Sequence, residues 1–158
     1  MEAVILIGIQ GSGKSTFFQQ RFASTHVRIN LDSLKTRHQE LLLLNTCITE
    51  RKDFVVDNTN PTVEQRSRYI SAARAAGYGV TGYFFDVPIG ECIERNKGRE
   101  GKAKIAIPAL YGTLKKMQPP SFEEGFDQLF LVSSARNQFD LRPWAQTDYF
   151  KTCTSPRQ

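Results

Sequence analysis

Eight residues near the N-terminus, Gly8-Ile9-Gln10-Gly11-Ser12-Gly13-Lys14-Ser15, follow the pattern G-x-x-x-x-G-K-[ST] in full. That spacing suits one task, holding the phosphates of a nucleotide. Its glycines let backbone N–H groups curl around phosphate oxygens, and a helix beginning near Lys14 presents unpaired N–H groups and the positive end of its dipole. Gly11, Ser12 and Gly13 are therefore the expected cradle, and Lys14 is a mobile charge for the β- and γ-phosphates. Ser15 is the expected ligand of a bridging Mg²⁺, with Thr16 next along the helix. The rival dinucleotide pattern G-x-G-x-x-G fails at its sixth position, which is Thr16, and leaves Lys14 without a task. A glycine-rich turn that merely packs strand on helix is the bland alternative.

A loop of this kind serves either hydrolysis or transfer of the phosphoryl group. A hydrolytic motor usually places a glutamate after the strand-end aspartate, yet Asp57 is followed by Asn58. A guanine switch needs Asn-Lys-x-Asp, and Asn96-Lys97-Gly98-Arg99 ends in arginine. Both departures point to transfer onto an acceptor, which requires a carboxylate to take the acceptor's proton and cations to hold the transferring charge. Asp32 lies just past the second expected strand and is the candidate base, its alternative being a cap for a helix starting at Ser33. Lys35 and Arg37 follow, as contacts for an acceptor phosphate or as solvated side chains. Arg95 and Arg99, four residues apart, would share one side of a helix end and fold over ATP as a lid, or form an ordinary basic surface. His26 and His38 lack metal-ligand spacing.

These residues need a scaffold that brings strand ends together. Val4 to Ile7 is a short, continuous apolar run ending in glycine, the signature of a strand buried on both faces. A helix from Lys14 to about Ala23 follows, then a strand at Val27–Ile29 and a helix starting near Asp32 or Ser33 whose buried face would carry Leu34, Leu41, Leu42 and Leu44. A third strand covers Phe54–Val56. Asn60 is the expected cap and Pro61 the first turn of the next helix, over Thr62 to Ala76. Val80–Phe85 forms a fourth strand, and Pro88 opens a helix through Ile93. Arg95 to Lys104 holds five basic residues against Glu100 and reads as a mobile basic loop. A helix over Pro108–Met117 and a fifth strand at Leu129–Val132 complete an α/β fold, a parallel sheet of about four to five strands flanked by helices. From Ser133 onward, apart from a packing role for Trp144, no element is expected and no function is assigned to residues 133–158.

The 158 residues fit one domain of ordinary size, so residues 1–158 are read as a single unit. At 40% apolar and 23% charged residues the composition is neither disordered nor fibrous. The net charge of +5 favours an anionic partner without choosing among them. Three widely spaced cysteines, Cys47, Cys92 and Cys153, exclude a fully paired disulfide framework and fit a reducing compartment. No stretch has the length of a membrane helix or the form of a signal peptide, so a cytoplasmic protein with no membrane partner is expected.

Beyond the first motif, the order Asn30-Leu31-Asp32, Asp57-Asn58-Thr59-Asn60-Pro61, Arg95-Asn96-Lys97-Gly98-Arg99, Ile107-Pro108 and Glu124-Gly125-Phe126 resembles the 5′-hydroxyl polynucleotide kinase family, over about Ile5 to Val132. The resemblance implies a P-loop kinase fold with a basic lid and ATP- and Mg²⁺-dependent phosphorylation of the 5′-OH of DNA or RNA. It places the general base on Asp32, with Lys14 and Arg99 as catalytic cations and Arg95 and Arg99 clamping ATP. Asp57 would fall on the acceptor side, with Asn58, Thr59 and Asn60 shaping the substrate crevice. Where the phage family has an acceptor-phosphate arginine three residues after the base, this chain has Lys35, so Lys35, Arg37 or neither serves there. The Asp-x-Asp-x-Thr signature of the family's 3′-phosphatase module is absent from the sequence, so a kinase-only chain is expected, one that could work beside separate phosphatase or ligase polypeptides. The alternatives are a kinase of a small molecule such as a nucleoside, sugar or antibiotic, and a non-catalytic nucleotide-binding module.

Overall fold

The computed structural model describes residues 1–101, 104–135 and 138–145. Six strands form one sheet in the order β2-β3-β1-β4-β5-β6. They are β1 (Glu2–Ile7), β2 (Val27–Ile29), β3 (Phe54–Val56), β4 (Gly79–Phe85), β5 (Gln128–Ala135) and β6 (Gln138–Pro143). The first five run parallel. The helices are α1 (Lys14–Arg21), α2 (Leu31–Leu34), α3 (Arg37–Thr49), α4 (Val63–Ala75), α5 (Ile89–Lys97) and α6 (Ile107–Lys116).

Alternation along β1 sends its side chains into two cores. Ala3, Ile5 and Ile7 face Leu44, Cys47, Tyr69, Ile70 and Ala73 of α3 and α4. Val4 and Leu6 join Phe17, Phe18, Phe22 and Phe85 on the other face. Burial on both faces is why β1 reads as unbroken apolar sequence. Because the chain leaves β1 toward β3 on one side and β4 on the other, a crevice opens at the carboxyl ends of these strands. That edge carries the phosphate loop, Asn30 to Asp32 and Asp57.

Several expectations need correction. The single helix expected from Asp32 is two, because Lys35 takes φ 70° at the end of α2 and Thr36 then caps α3 through the Gln39 amide. Leu41 and Leu42 are 54% and 53% exposed, and only Leu44 of that run is fully buried. Asn60 does not cap α4; Thr62 does, and Asn60 sits at φ 47° with its side chain donating to the Leu6 carbonyl. Helix α5 continues past Ile93 to Lys97, so Arg95 belongs to a helix rather than a loop. Within it the buried Asn96 amide grips both backbone groups of Ile105, which ties the far end of the basic segment to α5. Lys102 and Ala103 lie outside the described residues. The tail expected to be featureless supplies β6, antiparallel to β5 from Phe130↔Pro143 to Ala135↔Gln138, and Trp144 packs edge-on to Phe84. Of the cysteines, Cys47 and Cys92 are free and buried, and Cys153 lies outside the described residues.

One buried ion pair locks the segment after α6 to α4. Arg66 is fully buried, pairs with both oxygens of Glu124 at 2.7 and 3.0 Å, and donates to the carbonyls of Asn60 and Gln118. Removing one partner strands the other charge in the core. Glu124→Leu is therefore expected to cost about 3–5 kcal/mol, and Arg66→Met combined with Glu124→Leu to cost less than Glu124→Leu alone. Urea unfolding midpoints check this, and a single variant as stable as wild type would refute it.

Candidate active site

Helix α1 differs at its N-terminus from the three helices that follow it. Asn30, Thr36 and Thr62 cap α2, α3 and α4 with side-chain oxygens, whereas α1 has Gly13 at its cap position, no side-chain cap and no acidic residue in its first turn. Its leading N–H groups remain available to an anion. Gly13 adopts φ 100°, and a Cβ there would stand 3.1 Å from the ring of Phe139 on β6. Glycine is thus required both by the backbone and by the aromatic wall behind it. Gly11, at φ 79°, is pressed against the Cys92 carbonyl of α5 in the same way.

Lys14 lies buried within the loop it belongs to. Its ammonium donates to the carbonyls of Gly8 and Ile9, both at 2.8 Å, and to Ser12 Oγ at 3.4 Å. Burial lowers its pKa to about 8, against the opposing pull of Asp57; the charges of Arg99 and Asp32 also reach it, the first lowering and the second raising the value. The loop, Arg99 and Asp32 therefore all act on one ammonium.

Asp57 was expected on the acceptor side, but the structure sets it against the loop. Ser15 Oγ donates to Asp57 Oδ2 at 3.3 Å. Arg28 of β2, absent from the sequence-based candidates, bonds both: Nε reaches Asp57 Oδ2 at 2.8 Å and Nη2 reaches Ser15 Oγ at 2.9 Å. Its guanidinium also lies 5.4 Å from the Phe18 ring centroid. No motif signals Arg28, because the contact depends on how β2 lies beside β3. Hydroxyl and carboxylate together are hard oxygen donors of the kind Mg²⁺ takes, so Ser15 and Asp57 fit a divalent cation.

Asp32 does not cap α2; Asn30 does, accepting from the Ser33 amide at 3.0 Å. The Asp32 carboxylate stands exposed and lines a crevice of about 170 Å³ shared with Gln10 of the phosphate loop, Arg37, Asn58, Asn60 and Gln65. Thr59 lines it too, so Asn58, Thr59 and Asn60 all line this one crevice. A bonded group underlies this crevice: Tyr69 donates to Glu40 Oε1 at 2.6 Å, Arg37 to the same atom at 3.0 Å, and Asn58 Nδ2 to Glu40 Oε2 at 3.0 Å. Asn58 Oδ1 accepts from the Leu31 amide, which fixes the start of α2 beside Asp32. Burial, followed by the bond to Glu40, pushes the Tyr69 hydroxyl up to about 12, so it remains a donor. Lys35 is exposed and is not among the crevice residues; Arg37 is the cation that structure brings there. Glu40 and Tyr69 escaped the sequence reading because each looks like an ordinary helix residue.

Arg95 reaches over the loop, donating to the Gly11 carbonyl at 3.1 Å and to Ser134 Oγ of β5 at 2.9 Å. Arg99, just past α5, is exposed, as are Ser15 and Thr16.

The architecture is that of a P-loop kinase domain. A gluconokinase from Sinorhizobium meliloti superposes with a TM-score of 0.59 at 18% identity, covering 85% of this chain and 83% of its own. Kti12 from Chaetomium thermophilum, solved with ADP-AlF3, superposes with a TM-score of 0.62 at 16% identity, covering 83% and 88%. At such identities the likeness is one of fold. Residues 38–119 match the AAA_33 family model, described as an AAA domain, and the chain belongs to that family. The matched span begins after the phosphate loop. The resemblance to polynucleotide kinases extends over most of the chain. The bifunctional polynucleotide phosphatase/kinase of Schizosaccharomyces pombe is 29% identical over 139 residues, 79% of this chain and 32% of the relative. A protein of Acanthamoeba polyphaga mimivirus named "Putative bifunctional polynucleotide phosphatase/kinase" is 30% identical over 139 residues, 84% of this chain and 33% of the relative. The chain spans about a third of the length of each. Among the described residues no helix is long and apolar enough to cross a membrane.

The buried ammonium has a thermodynamic signature. Its folded pKa of about 8 lies below the ordinary 10.5, so between those values the unfolded chain binds the extra proton and stability rises with pH. Below pH 8 the burial cost is fully present. Relative to Lys14→Met, the wild type is expected to gain stability as pH climbs from 8 to 10.5. Denaturant unfolding of both proteins across that range measures it; parallel curves would show that Lys14 titrates normally.

Proposed function

We propose that this domain transfers the γ-phosphoryl group of ATP to the 5′-OH end of a nucleic acid. The supporting observation is that Asp32, uninvolved in capping, and Gln10 of the phosphate loop line one crevice, which sets a carboxylate beside the cradle for the donor. In this reading Asp32 accepts the proton of the 5′-hydroxyl as its oxygen attacks in line, the bond from that oxygen to Pγ forms while the β–γ bridging bond breaks, and ADP departs. Lys14 turns from the Gly8 and Ile9 carbonyls to the phosphates, and Arg95 and Arg99 share the transferring charge. Gly11, Ser12, Gly13 and Thr16 complete the donor cradle.

Ser15 and Asp57 would hold Mg²⁺, which when bound neutralises phosphate charge. That role requires Arg28 to release both side chains. On the acceptor side, Arg37 contributes a positive charge whose Nη1 is anchored by Glu40 and Tyr69, and Asn58, Thr59 and Asn60 form the wall. Residues 1–158 act in this reading as one cytoplasmic kinase domain.

A kinase of a sugar or another small molecule is favoured by one observation, the modest size of the crevice. Radiolabelled ATP separates the two readings. Label is expected on a 5′-OH oligonucleotide, and its absence would defeat the proposal. Asp32→Asn is expected to lower kcat about 10²–10⁴-fold, the usual worth of a general base. Unchanged turnover in that variant would remove Asp32 from the chemistry.

A further inference from the structure

Three buried side-chain polar atoms among the described residues lack a hydrogen-bond partner: Gln10 Oε1, Gln65 Oε1 and Trp144 Nε1. Both glutamines line the acceptor crevice, one from the phosphate loop and one from the first turn of α4. Buried polar atoms in native proteins are almost always satisfied, so two exceptions on one small crevice require an explanation. Three of the polar neighbours already have partners. Asn58 uses its oxygen for the Leu31 amide and its nitrogen for Glu40 and Tyr69; Asn60 donates to the Leu6 carbonyl; Tyr69 donates to Glu40. The two amide oxygens are thus open to donors carried by a ligand.

The size of the crevice limits what can bring them. About 170 Å³ is well under the ~300 Å³ at which ordinary small-ligand pockets begin. One sugar ring fits that space better than a sugar together with its base, so the donor belongs on the sugar. In a nucleic acid strand the 3′-oxygen of the terminal sugar is esterified and its 5′-OH faces Asp32. The remaining sugar hydroxyl is the 2′-OH, present in ribose and missing from deoxyribose. A hydroxyl both donates and accepts. It can therefore donate to one glutamine oxygen and accept from the NH₂ of the other once that amide turns over.

We infer that Gln10 and Gln65 are specificity residues that read the 2′-hydroxyl of the terminal sugar, so that the domain prefers strands with a 5′-terminal ribonucleotide. The inference rests on the proposed function and adds to it the identity of the acceptor sugar.

The test compares two oligodeoxynucleotides of one sequence with a 5′-OH, identical except that one carries a single ribonucleotide at its 5′ end. With wild-type protein and radiolabelled ATP, kcat/KM is expected to be about tenfold higher for the ribo-ended strand, one hydrogen bond's worth of discrimination. In the Gln10→Leu, Gln65→Leu double variant the ratio between the two strands is expected to fall to about one. Damage to folding would depress both strands alike and leave the ratio unchanged. A wild-type ratio near one, or a tenfold ratio that survives in the double variant, overturns the inference and leaves the 5′-kinase reading standing. No label on either strand overturns that reading and the inference with it.

Discussion

A buried ammonium held by backbone carbonyls, instead of by a bonded carboxylate, organises the ligand face of this protein. Lys14 is enclosed by the loop that precedes it, at a cost visible in its lowered pKa. Around it the chain accumulates further features that would be liabilities elsewhere: an uncapped helix start, two glycines at positive φ, and an arginine and an aromatic ring crowding Gly13. The uncapped N–H groups and the buried ammonium are unfavourable in isolation, and both are relieved by a polyanion. Phosphate oxygens would take the N–H groups of α1 and give the ammonium a counter-charge, so the site gains more from its ligand than a relaxed loop could.

The crevice beside Asp32 follows the opposite rule. Asn30, Asn58, Asn60, Tyr69 and Glu40 bond one another or the backbone, and the three capped helices fix where each begins. A floor so thoroughly bonded is stiff, and it frees Asp32 from structural duty. In the proposed reaction a stiff wall opposite the phosphate loop would hold two reactants at a set separation, which converts a bimolecular encounter into a local one.

The same logic accounts for motifs remote from the chemistry. Glu124 lies far along the chain from Asp57-Asn58-Thr59-Asn60-Pro61, yet its carboxylate neutralises Arg66, whose guanidinium also grips the Asn60 carbonyl. The turn that carries the crevice residues is thereby anchored from behind by the 3-10 segment that leads into β5. Likewise Asn96, between Arg95 and Arg99, spends both halves of its amide on Ile105.

What was legible in the sequence was whatever local physics dictates. Val4 to Ile7 could only be a two-face-buried strand, the glycine spacing of the loop admitted few ligands, and the alternation of short strands with helices implied a parallel sheet. What was not legible depended on partners distant along the chain. Leu41 and Leu42 looked like core and face solvent, because Lys35 breaks the helix and resets its phase before α3 starts. Asp57 looked like an acceptor-side residue and stands beside Ser15, because β3 lies next to β1. Arg28, Glu40 and Tyr69 carried no signal at all, and β6 was silent because an edge strand with one exposed face has too weak a pattern to recognise. Sequence by itself determined the first five strands and the glycine-rich loop between β1 and α1, since those rest on residues adjacent in the chain. Tertiary structure alone decided which side chains share a pocket, since a hydrogen bond depends on distance in space and is indifferent to separation along the backbone.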